Sequence, residues 1–151
     1  MIRTALLVSS LLLAGCTQPV TSSFEPAAAP ATSQSVRIGR LRGPSNRASR
    51  SLRDALRASL ARNGVAVVRG RGPGIVELSG RLASLNEGNV TTYTWEWRLE
   101  RGGRAVARPI VGFERAAGGS SNQWGGLGGH NAARIAERVG RKVALALARA
   151  R

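Results

Sequence analysis

Hydrophobic and polar positions change their period several times along this chain of 151 residues. Residues 5–13 are largely apolar behind Met1-Ile2-Arg3. A mature membrane span would need about 20 apolar residues, so this segment has the length of a signal h-region instead. Residues 17–35 are rich in Thr, Ser, Pro and Ala, have Phe24 as their only aromatic, and show no period, which predicts a flexible tether. Val36-Arg37-Ile38-Gly39-Arg40-Leu41 alternates apolar with basic or small residues, the mark of a half-buried strand. Gly43-Pro44-Ser45-Asn46 then supplies a turn and a helix cap.

From 47 to 63, Ala48, Leu52, Ala55, Leu56, Ser59 and Leu60 share one helical face, while Arg47, Arg50, Asp54 and Arg57 share the other. Asp54 can pair with Arg50 or Arg57. Gly64 is a natural stop. Residues 65–68 form a short apolar run suited to a buried strand, and strand, helix, strand in this order predicts a right-handed crossover between parallel neighbours. The glycine-rich stretch from Arg69 to Gly74 reads as a loop, because a phosphate-cradling loop would lead into a helix and a strand pattern follows here.

Three strand-like runs come next, at 75–84, 90–100 and 105–113, separated by Asn86-Glu87-Gly88-Asn89 and by Gly102-Gly103. A two-residue Gly-Gly turn predicts Leu99 opposite Val106, Trp97 opposite Arg108, Trp95 opposite Ile110 and Tyr93 opposite Gly112. Pairing Leu85 with Val90 sets Leu82 against Tyr93, Gly80 against Trp95, Leu78 against Trp97 and Val76 against Leu99. One face then holds Val76, Leu78, Leu82, Tyr93, Trp95, Trp97, Leu99, Val106 and Ile110. The other holds Glu77, Arg81, Thr94, Glu96 and Arg98, with Glu77 opposite Arg98. Arg108 beside Trp97 would allow a cation–π contact. Pro109 predicts that the last run is a sheet edge, open to strand addition. The aromatic set reads as core under the helices or as a stacking platform for a sugar or nucleobase.

Residues 116–129 are rich in Gly and Ser, with Trp124 and Leu127 as the apolar members. Trp124 either folds back as a plug or stands out as an anchor for a partner. From 131 to 150 a second helix turns Ile135, Val139, Val143, Ala146 and Leu147 inward, and Arg134, Arg138, Arg141 and Lys142 outward. Glu137 stands four residues before Arg141 as a favourable pair. The predicted fold is an α/β two-layer sandwich: a four- to five-stranded mixed sheet with both helices packed on its aromatic face.

Composition shifts attention from chemistry to location. The net charge is +15, carried almost wholly by arginine. Such a balance draws polyanionic neighbours, or simply coats solvated faces. The candidate polyanion surface is the stripe Arg134, Arg138, Arg141, with Trp124 as the candidate anchor. With one histidine (His130), one aspartate and one cysteine, there is no material for a nucleophilic triad or a metal cluster. Glu96 and Glu100 share a strand face with nothing to separate their acidities. The expectation is a non-enzymatic domain without a cofactor.

The one cysteine closes Leu13-Ala14-Gly15-Cys16, which resembles the lipobox of bacterial lipoproteins at all four positions. The resemblance implies a signal peptide at 1–15, a diacylglycerol on the Cys16 thiol, an acylated Cys16 amino group, a lipidated tether at 16–35 and a single domain at 36–151. Thr17 implies the outer membrane, on its periplasmic face. A lone exported cysteine cannot close an internal disulfide, and acylation accounts for it. Behind this signal the domain order resembles small accessory lipoproteins of the proteobacterial envelope, including those of lipopolysaccharide assembly, on the Leu52/Leu56/Leu60 helix leading to Gly64-Val65. Trp124-Gly125 and the helix start at 131–136 are similar to an alphaproteobacterial lipoprotein family. Implied partners are the membrane through the acyl chains, a larger envelope protein, and anionic lipid or lipopolysaccharide, with no nucleic acid. Two functions follow: an accessory module docking on an envelope protein, or a polyanion-binding lipoprotein. A third, wall-sugar binding, requires exposed Trp95 and Trp97.

Overall fold

The alternation that begins at Val36 folds as a strand, and Ser45 caps the helix behind it by accepting a hydrogen bond from the Ala48 amide. A computed structural model describes residues 34–117 and 122–150; the expected signal at 1–15, Cys16 and nearly all of the expected tether lie outside them, as do residues 118–121. The elements in chain order are β1 (Ser35–Arg42), α1 (Asn46–Arg62), β2 (Ala66–Val67), β3 (Val76–Glu87), β4 (Val90–Arg101), β5 (Arg104–Ala105), β6 (Ile110–Ala117) and α2 (Gly129–Arg149). Gly64 ends α1 with φ of 72°. The segment from Arg69 to Gly74 holds no helix or strand.

The sheet runs β2-β1-β3-β4-β5, with β6 also paired to β4. Pairs β1–β2 and β1–β3 are parallel and the rest antiparallel, so the sheet is mixed, as the pattern predicts. The continuous run at 65–68 yields only a two-residue strand, with Val65 buried and Ala66 exposed. Both helices share one core cluster with a single sheet face: Val76, Leu78, Leu82, Tyr93, Trp95, Trp97, Leu99 and Ile110 meet Leu52, Leu56 and Leu60 of α1 and Ile135, Val139, Val143 and Leu147 of α2. Val106, expected in this face, is half-buried. The helices approach closely at Gly140, where a side chain would collide with Ser59 of α1.

The first hairpin register differs from expectation by two residues throughout, and the second does so only after residue 109. The first turn is Gly88-Asn89, so Glu87 pairs with Val90, Leu82 with Trp95, Gly80 with Trp97 and Leu78 with Leu99. At the Gly102-Gly103 turn, Arg101 pairs with Arg104 and Glu100 with Ala105, in the expected register. Residues 106–109 then leave the ladder. Pairing resumes with Trp97 opposite Ile110, Trp95 opposite Gly112 and Tyr93 opposite Glu114. A slide of two preserves every residue's face, so the expected core survives. The slide does remove Arg108 from Trp97, and it pairs Glu77 with Glu100 instead of Arg98. Pro109 lies in the break between β5 and β6, and β6 is indeed outermost.

β1 contains a bulge that the alternation conceals. Ile38 pairs with Leu78 and Leu41 with Gly80, so Gly39 and Arg40 together face Ser79. A bulge reverses the face of every later residue. Val36 and Ile38 point inward before it and Leu41 after it, so Arg40 and Arg42 emerge on the sheet face away from the helices.

Candidate interaction surface

The expected polyanion stripe on α2 is largely committed within the fold. Arg134, Arg138 and Lys142, spaced four apart, run beside the free edge of β6. Arg134 Nη2 donates to the Arg115 carbonyl at 3.2 Å, Arg138 Nη1 to the Phe113 carbonyl at 3.2 Å, and Lys142 Nζ to the Val111 carbonyl at 3.3 Å. Between those carbonyls Glu114 points inward, its side chain only 4% exposed; it pairs with Arg134, and with Arg138 at 3.3 Å. A buried carboxylate needs such partners. These donors cap the edge that was expected to be open to strand addition. The free edge of β1 has a smaller version of the device, with Arg53 donating to the Ile38 carbonyl at 3.4 Å.

Arg141 lies apart from that row. Glu137 binds Arg62 of α1 at 2.9 Å and accepts from Ser59 at 3.3 Å, with Arg141 adding only its charge. The Arg62 hydrogen bond, first, holds the Glu137 carboxyl below the usual carboxylate range. Asp54 pairs with Arg57 at 2.9 Å.

Trp124 takes the folded-back position. It is 9% exposed, and its ring stacks on Tyr93 with centroids 6.1 Å apart and planes at 24°. Asn122 accepts from the Trp124 amide at 3.1 Å, and Asn131 donates to the Gly126 carbonyl at 2.8 Å, fixing the segment against the start of α2. Burial pushes the Tyr93 hydroxyl up. The role of surface anchor therefore gives way to that of a core plug. Trp95 and Trp97 are buried as well, which removes the stacking platform for a sugar. His130 is exposed in the first turn of α2.

The surface that remains is the sheet face away from the helices. Neighbouring rows can be read from the strand registers. Arg37, Glu77 and Glu100 form the first row, with Arg37 bound to Glu77. Ser79 and Arg98 follow, beside Gly39 and Arg40 of the bulge. The third row is Arg42, Arg81, Glu96 and Val111; the fourth is Ala83, Thr94 and Phe113; the fifth is Leu85, Thr92 and Arg115. Arg98 Nε donates to Glu96 at 2.7 Å, and this bond pushes the Arg98 guanidinium up. Arg40, Arg42 and Arg81 have no carboxylate partner among the described residues. They line a groove of about 250 Å³ with Ser79, Glu96, Arg98 and Glu100. Beside it Leu85, Val111 and Phe113 are 60%, 60% and 59% exposed, three of the four large apolar side chains so exposed among the described residues.

None of these six residues stood out as a candidate in the linear pattern. The available signal was the three-residue step from Ile38 to Leu41, which a regular strand cannot accommodate on one face. Among the described residues there is no cluster of three acidic, His or Cys side chains suited to a metal. No described helix is long and apolar enough to cross a membrane.

The fold has solved counterparts. A minor lipoprotein from Acinetobacter baumannii superposes with a TM-score of 0.50 at 15% identity, over 74% of this chain and 93% of that one. The PelC dodecamer from Paraburkholderia phytofirmans gives 0.46 at 16% identity, over 81% and 90%. At such identity the likeness to the minor lipoprotein is one of fold. No protein-family model and no curated protein matches the sequence.

Proposed function

We propose that this chain is a non-enzymatic lipoprotein of the bacterial envelope, acylated at Cys16, that binds a polyanionic surface through the open face of its sheet. The complete lipobox supports the anchor, and the fold shared with a minor lipoprotein is consistent with it. The observation that carries the polyanion reading is the pair Arg42 and Arg81, directly opposite each other on neighbouring strands with neither in an ion pair, since Glu96, across from Arg81, is bonded to Arg98. Like charges placed so cost stability, and an external anion relieves the cost. The reading rests on this face because Arg134 and Arg138 of α2 are bonded at β6, while Arg141 adds its charge at Glu137.

The test is binding of the acylated protein to purified lipopolysaccharide across a salt series. Affinity should fall steeply with salt, because exposed charges are screened within about 10 Å at 0.1 M. Arg42→Gln with Arg81→Gln should weaken it, and Arg47→Gln with Arg50→Gln, an equal charge loss on the helix layer, should not. Salt-insensitive binding, or equal loss in both pairs, overturns the reading.

A second reading, an accessory module docking on a larger envelope protein, draws on the exposed Leu85, Val111 and Phe113. Cross-linking in intact cells, with Cys16→Ala as the mislocalised control, tests it: one protein captured at Phe113 and lost in the control supports docking, and its absence removes it.

A further inference from the structure

We infer that the open sheet face lies flat on the anionic leaflet carrying the chain's own anchor, its arginines at the lipid phosphates and Phe113, Val111 and Leu85 in the interface. This rests on the acylated, polyanion-binding reading above and names the surface that is bound. Three observations lead to it.

The first is the division of the face. Going up the sheet, the rows pass from Arg42, Arg81, Glu96 and Val111 to Ala83, Thr94 and Phe113 and then to Leu85, Thr92 and Arg115, so the charges gather toward one end while exposed apolar side chains run beside them. Successive rows on one face are two residues apart, about 6.6 Å, and neighbouring strands are about 4.8 Å apart. Guanidiniums and exposed apolar groups thus share one plane within a few strand widths. Arginine stems are apolar and their heads reach for water or phosphate, so both halves suit an interface between headgroups and acyl chains.

The second is exposure. The apolar neighbours of the groove are each about three-fifths exposed, so this part of the face offers its side chains to an extended surface.

The third is reach. Seventeen residues separate Cys16 from Gln34. At about 3.3 Å each they span at most about 60 Å. An acylated Cys16 therefore keeps the domain at high effective concentration beside one leaflet, where modest attraction suffices. A basic patch is the second signal that complements acyl chains, and it is selective for anionic lipid.

The experiment uses the acylated protein in vesicles of phosphatidylcholine with or without phosphatidylglycerol. Acylation occupies the native cysteine, so Phe113→Cys, or Arg50→Cys on α1 as control, takes a single nitroxide. The result expected is that the label at 113 enters the lipid interface only with phosphatidylglycerol, while the label at 50 stays in water. Arg42→Gln with Arg81→Gln should lower the docked-to-undocked ratio about thirtyfold, and high salt should lower it too. A label at 113 that stays in water in both vesicles overturns the inference, as does equal entry into phosphatidylcholine alone. Lipopolysaccharide binding that survives when the label stays in water separates failure of this inference from failure of the reading beneath it. A photo-cross-linker at 113 that captures only protein in cells likewise overturns it.

Discussion

Trp97 on β4 lies against Gly80 on β3, its cross-strand neighbour, so closely that a methyl group at Gly80 would come within 2.5 Å of the indole. Trp95 has the same relationship to Gly112 on β6, at 2.7 Å. Each buried tryptophan thus folds over a glycine on an adjacent strand. Only the observed registers provide both pairs at once.

Gly80→Ala should therefore cost about 1–3 kcal/mol, the range for overpacking a well-filled core. Urea denaturation gives the value. Gly70→Ala, where nothing lies within 4 Å of the new methyl, should stay within about 0.5 kcal/mol and serves as control. Equal effects would mean that the Trp97 contact is not tight.

Replacing both Arg134 and Arg138 by Met should destabilise by about 3 kcal/mol, because Glu114 would remain a buried carboxylate without a cation. Adding Glu114→Gln to that pair should restore much of the loss, as its charge is then gone. The double variant also bares the β6 carbonyls, so it should self-associate more readily. Chemical denaturation and analytical ultracentrifugation of the three forms separate these effects.

Glu137 predicts an acid-sensitive clamp between the helices. Its folded pKa is depressed, so its contribution is present above the ordinary carboxylate range and is lost as pH falls through the folded value. The pair is substantially exposed, so the contribution is about 0.5 kcal/mol or less. The stability difference between the parent and Glu137→Gln should shrink from about pH 7 to about pH 3. A constant difference would assign the effect to packing.

Trp124→Ala should cost about 3 kcal/mol by removing the ring stacked on Tyr93. The phenol should then become more accessible, and its titration, followed by absorbance near 295 nm (about the phenolate band), should move down toward the ordinary value of about 10. An unchanged titration would mean that other groups bury the hydroxyl.

Much of the architecture could be read from local pattern. The 3.6 period around Leu52, Leu56 and Leu60 gives α1 its buried face, and Ser45 and Gly64 bracket it. The two-residue period from Val76 to Leu99 assigns each residue to a sheet face whatever the pairing. The resemblance of Leu13-Ala14-Gly15-Cys16 to a lipobox is likewise read without any fold. These are properties of neighbours along the chain.

What tertiary structure alone decided is where like-looking residues end up. Arg42 and Arg138 are both surface arginines in the sequence, yet one stands beside Arg81 without an acid and the other serves Glu114 and the Phe113 carbonyl. Trp124 could stand out or fold back until Tyr93, 31 residues earlier, offered its ring. Registers differing by two residues give the same faces, so the choice fell to the glycines opposite Trp95 and Trp97. Periodicity sets which side of a strand a residue occupies, because that is fixed by backbone geometry within a few residues. Its partner is selected by packing and charge between segments far apart in sequence, a choice made only when they meet.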